Sequence, residues 1–169
     1  STLQVSKHFG FEPGSHTIGV HYTVTNLAAE AAQLTPFVQL KRDSSPAPVA
    51  SDAGMGMQPF LGSALTQPDQ RFTKFDFGDM AEDPFRADLT GGWIAMLQHY
   101  FVSAWVPDPY NTYRFRTRQT LSGHNIIGYT GPAMVIASGE TTTISNQLYV
   151  GPKNQSVLAD LATHLDLVV

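Results

Sequence analysis

The chain has 169 residues, a net charge of -4, 42% hydrophobic and 14% charged residues, 14 Gly, 11 Pro and no cysteine. That length supports one core burying roughly 70% of the surface an unfolded chain would expose. The lack of a basic stripe removes the electrostatic term that nucleic-acid binding depends on. Without cysteine there is no disulfide, thiolate metal site or thiol nucleophile, and the longest apolar run, residues 93–106, falls short of the roughly 20 residues that span a bilayer.

At the start of the chain, Leu3, Val5 and Phe9 alternate with polar residues. Glu12-Pro13-Gly14-Ser15 then supplies a turn with Pro and Gly where their backbone preferences fit. The next segment, residues 16–26, sets Ile18, Val20, Tyr22 and Val24 on one face and His16, Gly19, His21, Thr23 and Thr25 near the other, completing a hairpin. Residues 33–41 read as one strand in which Leu34, Pro36, Val38 and Leu40 share a parity; Pro36 donates nothing to a ladder and favours an edge or a bulge. Residues 43–58 have no apolar period and read as a surface loop, the best candidate for disorder.

Strands resume at 60–66 and 71–77 across a turn at 67–70. Phe72, Phe75 and Phe77 cannot share one face of a regular strand, so a bulge or an exposed ring is expected there. An acidic loop, 79–88, precedes Gly91-Gly92. Two apolar strands within 91–107 then meet at Tyr100-Phe101 and carry both tryptophans, Trp93 and Trp105. Further strands are expected at 110–119, 124–130, 133–138 and 141–150, with Gly or Pro in nearly every gap. Over 154–165, Val157, Leu158, Leu161 and Leu165 recur near helical spacing, predicting a single terminal helix packed by that stripe. There is no internal repeat and no second domain boundary. The pattern is that of an all-β chain, an antiparallel β-sandwich with one C-terminal α-helix.

Signs of chemistry are few. Of the six histidines, His16 and His21 are separated by an odd number of residues, so in a strand they face opposite ways and cannot share a metal; no HxH or HExxH spacing occurs. Each histidine reads as an ordinary surface or packed residue, and no metal or cofactor is expected. Glu12, Glu30, Glu82 and Glu140 all fall in predicted turns or loops, leaving no carboxylate pair for acid–base work. No nucleophile elbow, phosphate loop or dinucleotide fingerprint is present, and an enzyme is not expected. Candidates for a cleft or a partner contact are Trp93, Gln98, His99, Tyr100, Trp105, Tyr110, Tyr113, Arg114 and Arg116, since aromatic bodies with polar tips suit such surfaces. Core packing is the commoner use of the tryptophans, and a polar strand end the plainer reading of His99. For Tyr110 and Tyr113 the two readings are balanced. Arg114, Arg116 and Arg118 share a parity and line one wet strand face, most often simply solvated.

The run GGWIAMLQHYFVSAWVP at 91–107 resembles the late part of the large periplasmic domain of the YidC membrane protein insertases of Gram-negative bacteria. The resemblance continues through LYVGPKNQSVLADLATHLDLVV at 148–169, which is similar to the segment leading into the insertase's membrane core. It implies that the sandwich is part of a larger galactose mutarotase-like supersandwich. Residues 1–152 would form the sandwich portion and 153–169 the helix and linker toward the membrane core, with a companion N-terminal half of the same domain covering what this half leaves exposed.

The implied function is a non-catalytic interaction or scaffold domain at the periplasmic face of the bacterial inner membrane. The insertase helps insert and fold membrane proteins, alone or with the Sec translocon, so the implied partners are SecD, SecF and nascent membrane proteins. Val157, Leu158, Leu161 and Leu165 would couple the domain to its membrane exit. The alternative is a carbohydrate-binding or mutarotase-like sugar-converting sandwich; such epimerases use histidines and a glutamate on the sheet, for which this chain offers poor substitutes, and fold alone carries no function. A chaperone-like module binding extended apolar segments at a sheet edge is a third class.

Overall fold

The opening hairpin follows its turn chemistry. Strands β1 (Leu3–Phe11) and β2 (Thr17–Asn26) pair antiparallel from Leu3 opposite Asn26 to Phe11 opposite Ile18. The Ser15 N–H donates to the Glu12 carbonyl at 3.1 Å, and Gly14 has φ 79. Pro13 followed by a left-handed Gly is the type II arrangement, open to Gly without a Cβ penalty. The computed structural model describes residues 2–46 and 60–169; beyond residue 46, the loop expected at 43–58 lies outside the described residues.

The single strand expected at 33–41 is divided. Pro36 separates β3 (Ala32–Leu34) from β4 (Phe37–Arg42), because a residue with fixed φ and no N–H cannot continue the ladder. The edge position expected from Pro36 holds for β4, an outer strand of its sheet.

Strands β5 (Gly62–Leu65) and β6 (Thr73–Phe75) flank the predicted turn, which the Gln67 N–H closes onto the Gln70 carbonyl at 2.9 Å. The phenylalanine conflict disappears because β6 stops at Phe75. Phe72 joins the outer cluster, Phe75 the inner core, and Phe77 opens a helix, α1 (Phe77–Glu82), half-buried against that core. This helix and β7 (Arg86–Thr90) replace the expected acidic loop, and they place Glu82 on a helix. The helix starts at a reciprocal cap: the Asp79 N–H donates to Asp76 Oδ1 at 2.7 Å and the Asp76 N–H to Asp79 Oδ2 at 3.3 Å. Two aspartates here do the work of the usual Ser/Thr and Glu pair, at the end of the helix dipole that favours negative charge.

Strands β8 (Ile94–Leu97) and β9 (Phe101–Val106) meet at His99-Tyr100, where the Gln98 N–H donates to the Phe101 carbonyl at 3.0 Å. Next come β10 (Thr112–Gln119), β11 (Asn125–Thr130), β12 (Met134–Ile136) and β13 (Thr141–Pro152). Helix α2 (Gln155–Leu161) and a 3-10 turn, Leu165–Val168, close the described chain. Asn154 caps α2, accepting from the Val157 N–H at 3.3 Å. The helical stripe is shorter than its spacing indicates, however. Val157 is 41% exposed, and Leu165 packs from the 3-10 turn because the backbone leaves the helix at an extended Ala162.

A seven-stranded sheet, β1-β2-β13-β9-β8-β5-β6, packs on a four-stranded sheet, β4-β11-β10-β7, while β12 and β3 form a separate pair. This is the expected antiparallel sandwich. Val20, Leu65, Ile94 and Trp105 meet Phe115, Ile127 and Tyr129 in its core. The larger sheet is covered on its outer face too, where Ala95, Leu97, Val102 and Tyr149 lie under Leu158, Leu165 and Val168. Burial from both sides is why β8 is apolar at every position rather than alternating. At the opposite margin, β1 turns the face it shares with the inner side of β2 into the open, leaving Val5 56%, Phe9 52% and Phe11 71% exposed.

Candidate functional site

The candidate residues do not form one cleft; they are spread over the fold. Trp93 is fully buried, and its Nε1–H donates to the Thr163 carbonyl at 3.0 Å. It therefore holds down the C-terminal segment rather than facing solvent. The next residue but one on from Trp93's partner reinforces that anchorage: Leu165 is fully buried, and it follows His164, whose φ of 67 is the only positive value for a non-glycine among the described residues. Trp105 lies between the sheets and is 9% exposed.

The β8–β9 turn presents the second group. Gln98, His99 and Tyr100 are exposed. The His99 and Tyr100 rings stack at 3.9 Å with an interplanar angle of 10°, and the Lys153 N–H donates to the Tyr100 carbonyl at 2.9 Å. That bond ties the turn to the entrance of α2. Burial, with the nearby Lys74 charge adding to it, holds Lys153 below the ordinary lysine range.

Arg114, Arg116 and Arg118 lie on the solvent face of β10, which alternates exposed and buried along its length. Arg114 Nε donates to Asp88 Oδ1 at 2.9 Å across to β7. The hydrogen bond from Arg114 lowers the Asp88 carboxyl. Both partners are solvent-exposed, so the pair contributes little to stability.

Tyr113 points the other way, into the mouth of the sandwich, where a cavity of about 330 Å³ is lined by Phe37, Asn111, Tyr113, Tyr129, Met134 and Asn146. Tyr110 stands outside it, 89% exposed, with its N–H donating to Asp108 Oδ1 at 2.8 Å. The Tyr113 and Tyr129 rings meet edge to face at 5.0 Å, and the Tyr129 hydroxyl donates to Asn146 Oδ1 at 2.9 Å. Burial is the main force raising both phenols above their ordinary value, most strongly for Tyr129.

A phenol raised in the folded state stabilises the fold fully below its unfolded pKa, 10.0, and loses that contribution as pH rises beyond it. Stability therefore falls above pH 10, with a slope of up to about 1.4 kcal/mol per pH unit for each such tyrosine. Lys153 acts in the opposite sense, and only up to its ordinary value of 10.5. Tyr129→Phe is expected to cost about 1 kcal/mol near neutrality through the lost hydrogen bond and to flatten the alkaline slope. Urea titrations of both proteins from pH 8 to about 11.5 measure this; an unchanged slope would place the alkaline sensitivity elsewhere.

Nothing at these positions assembles an acid–base pair. Among the described residues no three His, Asp or Glu side chains converge on a common point, and no helix is long and apolar enough to cross a membrane. The connection missed in the sequence is the one between Trp93 and Thr163, which are 70 residues apart. The only signal available was a tryptophan preceded by two glycines, both of which take positive φ, 65 and 84.

The family model described as YidC periplasmic domain matches residues 1–169. A membrane protein insertase YidC of Marinomonas sp. (strain MWYL1) is 41% identical over 167 residues, which is 99% of this chain and 30% of the relative. Proteins of the same name from Pseudomonas entomophila (strain L48) and Pseudomonas putida (strain W619) are each 39% identical over 163 residues, 96% of this chain and 29% of theirs. The chain thus spans about 30% of the length of the curated relatives it matches. Those relatives are named as membrane protein insertases.

Proposed function

This chain belongs to the YidC periplasmic domain family, and on that premise we propose that it serves as a non-catalytic interaction and scaffold domain of a membrane protein insertase. It would work at the periplasmic face of the inner membrane, where the insertase receives nascent membrane proteins alone or beside the Sec translocon, and SecD and SecF are the partners it would meet. The observation that carries this reading is a family match running the whole length of the chain, through both the sandwich and the C-terminal segment.

Two features of the packing support it. Residues 153–169 lie on the outer face of the larger sheet, with Leu158 and Leu165 fully buried and Leu161 packed beside them. A chain continuing from there toward a membrane core would leave from a fixed point, so residues 1–152 and the segment that follows would move as one body. At the far margin, the uncovered apolar face of β1 is the kind of surface that a companion half of a larger supersandwich would bury. The sugar-handling alternative needs open aromatic rings flanked by polar groups, and both tryptophans are buried in this chain.

Photo-crosslinking residues placed at Tyr100, Tyr110 or Arg116 in the full-length, membrane-embedded insertase test the contact role. Adducts to SecD, SecF or a nascent chain are expected from at least one of these exposed positions, and none from a probe at the buried Phe115. If insertion proceeds normally and no exposed position gives an adduct, the interaction reading is wrong.

A further inference from the structure

The register of the first hairpin brings together two histidines that are 13 positions apart in sequence, His8 and His21, as directly opposed residues on β1 and β2. Opposed residues of an antiparallel pair project to the same face, with Cβ atoms about 4.5–5.5 Å apart. That face is the solvent side of the sheet, and both histidines are exposed on it. His21 is already oriented: its Nδ1 lies 2.8 Å from Ser145 Oγ on β13, the strand on its other side. An imidazole that donates its Nδ1–H to such a partner keeps the Nε2 lone pair free, and metal-bound histidines are commonly held in this way.

The space beside that nitrogen is vacant for a structural reason. Gly10 and Gly19 form the next opposed pair, and His21 Nε2 leans over Gly19, only 2.9 Å from where a Cβ would stand. A Cβ built on Gly10 would meet nothing closer than the Gly19 carbonyl at 3.9 Å. A hollow therefore lies over the glycine pair, lined by His21, Ser145 and Gln147, with His8 two positions from Gly10 on the same face of β1. The neighbours on this face of the three strands, Ser6, Thr23, Thr143 and Gln147, are neutral, so no fixed cation repels an ion there.

We propose that His8 and His21 form a cross-strand site for a divalent transition-metal ion of the imidazole-preferring class, such as Zn2+. Two imidazole nitrogens at about 2.0–2.1 Å from the ion fit tetrahedral coordination, with water in the remaining positions, since no third His, Asp or Glu side chain among the described residues converges there. The Ser145 hydroxyl acts from behind, holding the His21 ring through its contact with Nδ1.

Calorimetric titration of the chain with Zn2+ alone, joined to the histidine ring resonances in NMR, tests the site. One ion per chain is expected, shifting the His8 and His21 signals together. His8→Gln and His21→Gln should each remove that binding, whereas His16→Gln should leave it intact. Ser145→Ala should retain the stoichiometry and weaken affinity by about tenfold. Unchanged binding in either His8→Gln or His21→Gln, or loss of binding in His16→Gln, overturns the proposal. An unchanged affinity in Ser145→Ala overturns the orienting role of the hydroxyl. All four are surface positions whose replacement leaves the core untouched, and a matching far-UV spectrum and thermal midpoint in the absence of metal verify that each variant folds.

Discussion

Replacing Leu158 and Leu161 with Asp is expected to release residues 153–169 from the sandwich while both sheets remain folded. Leu158 is fully buried among Trp93, Val102, Tyr149 and Leu165, and Leu161 packs at the margin of that cluster. Removing a buried leucine side chain costs about 2–5 kcal/mol, and a carboxylate in its place must either shed its charge or reach water. Leaving the surface is the easier course, because beyond its first residue, which the Lys153 N–H ties to Tyr100, the segment holds its place through that cluster and the indole bond from Trp93 to Thr163. The core between the sheets draws on none of these side chains. Trp93 then becomes solvent-exposed while Trp105 does not, so the fluorescence should shift to the red only in part. Hydrogen exchange should show the C-terminal amides unprotected while β9 and β13 stay protected. Loss of protection in the segment and the sheets together would show that the segment and the sandwich fold as one unit.

Phe115→Ala should have the larger effect on global stability. The ring is fully exposed to neither solvent nor cavity: it is 0% accessible and packs between the sheets, 5.4 Å from the Tyr129 ring. Truncating such a ring costs about 3–5 kcal/mol, a large share of the 5–15 kcal/mol by which domains are typically stable. For a chain of this size the thermal midpoint should fall by about 10 °C or more. Arg114→Ala, one residue earlier on the same strand, should leave the thermal midpoint nearly unchanged, since its partner Asp88 is equally exposed. Thermal denaturation followed by circular dichroism compares the two. A Phe115→Ala midpoint within about 3 °C of the parent would mean that the two sheets do not share one core through β10.

Where a single strand buries one face, its period was plain in the residues. β2 and β10 alternate, and the alternation placed Val20 and Val24 inside and Arg116 and Arg118 outside without any knowledge of their neighbours. The Pro13-Gly14 turn was legible for the same reason, because its hydrogen bond closes within four residues. Helix α1 was missed because its cap uses aspartate twice and its only fully buried residue is Met80, too little apolar pattern to mark a helix of 6 residues. Val157 was assigned to a packed stripe that the backbone abandons at Ala162, a break that no Gly or Pro announces.

The class of fold, the hairpins and the likeness to the insertase domain can be read from the residues alone, since composition, period and short motifs are local properties of the chain. Which strands lie side by side, and with that the contacts of individual side chains, follows from the tertiary fold. The order β2-β13-β9 joins the hairpin to β13, more than 100 residues later, and through it to β9, and sets Ser145 beside His21. The sheet register places His8 opposite His21, and the covering of the outer sheet face turns Trp93 from a cleft candidate into the anchor of the C-terminal segment. Such pairings depend on closing long loops, whose favourable free energy comes from burial shared between distant strands, and no local pattern of residues encodes them.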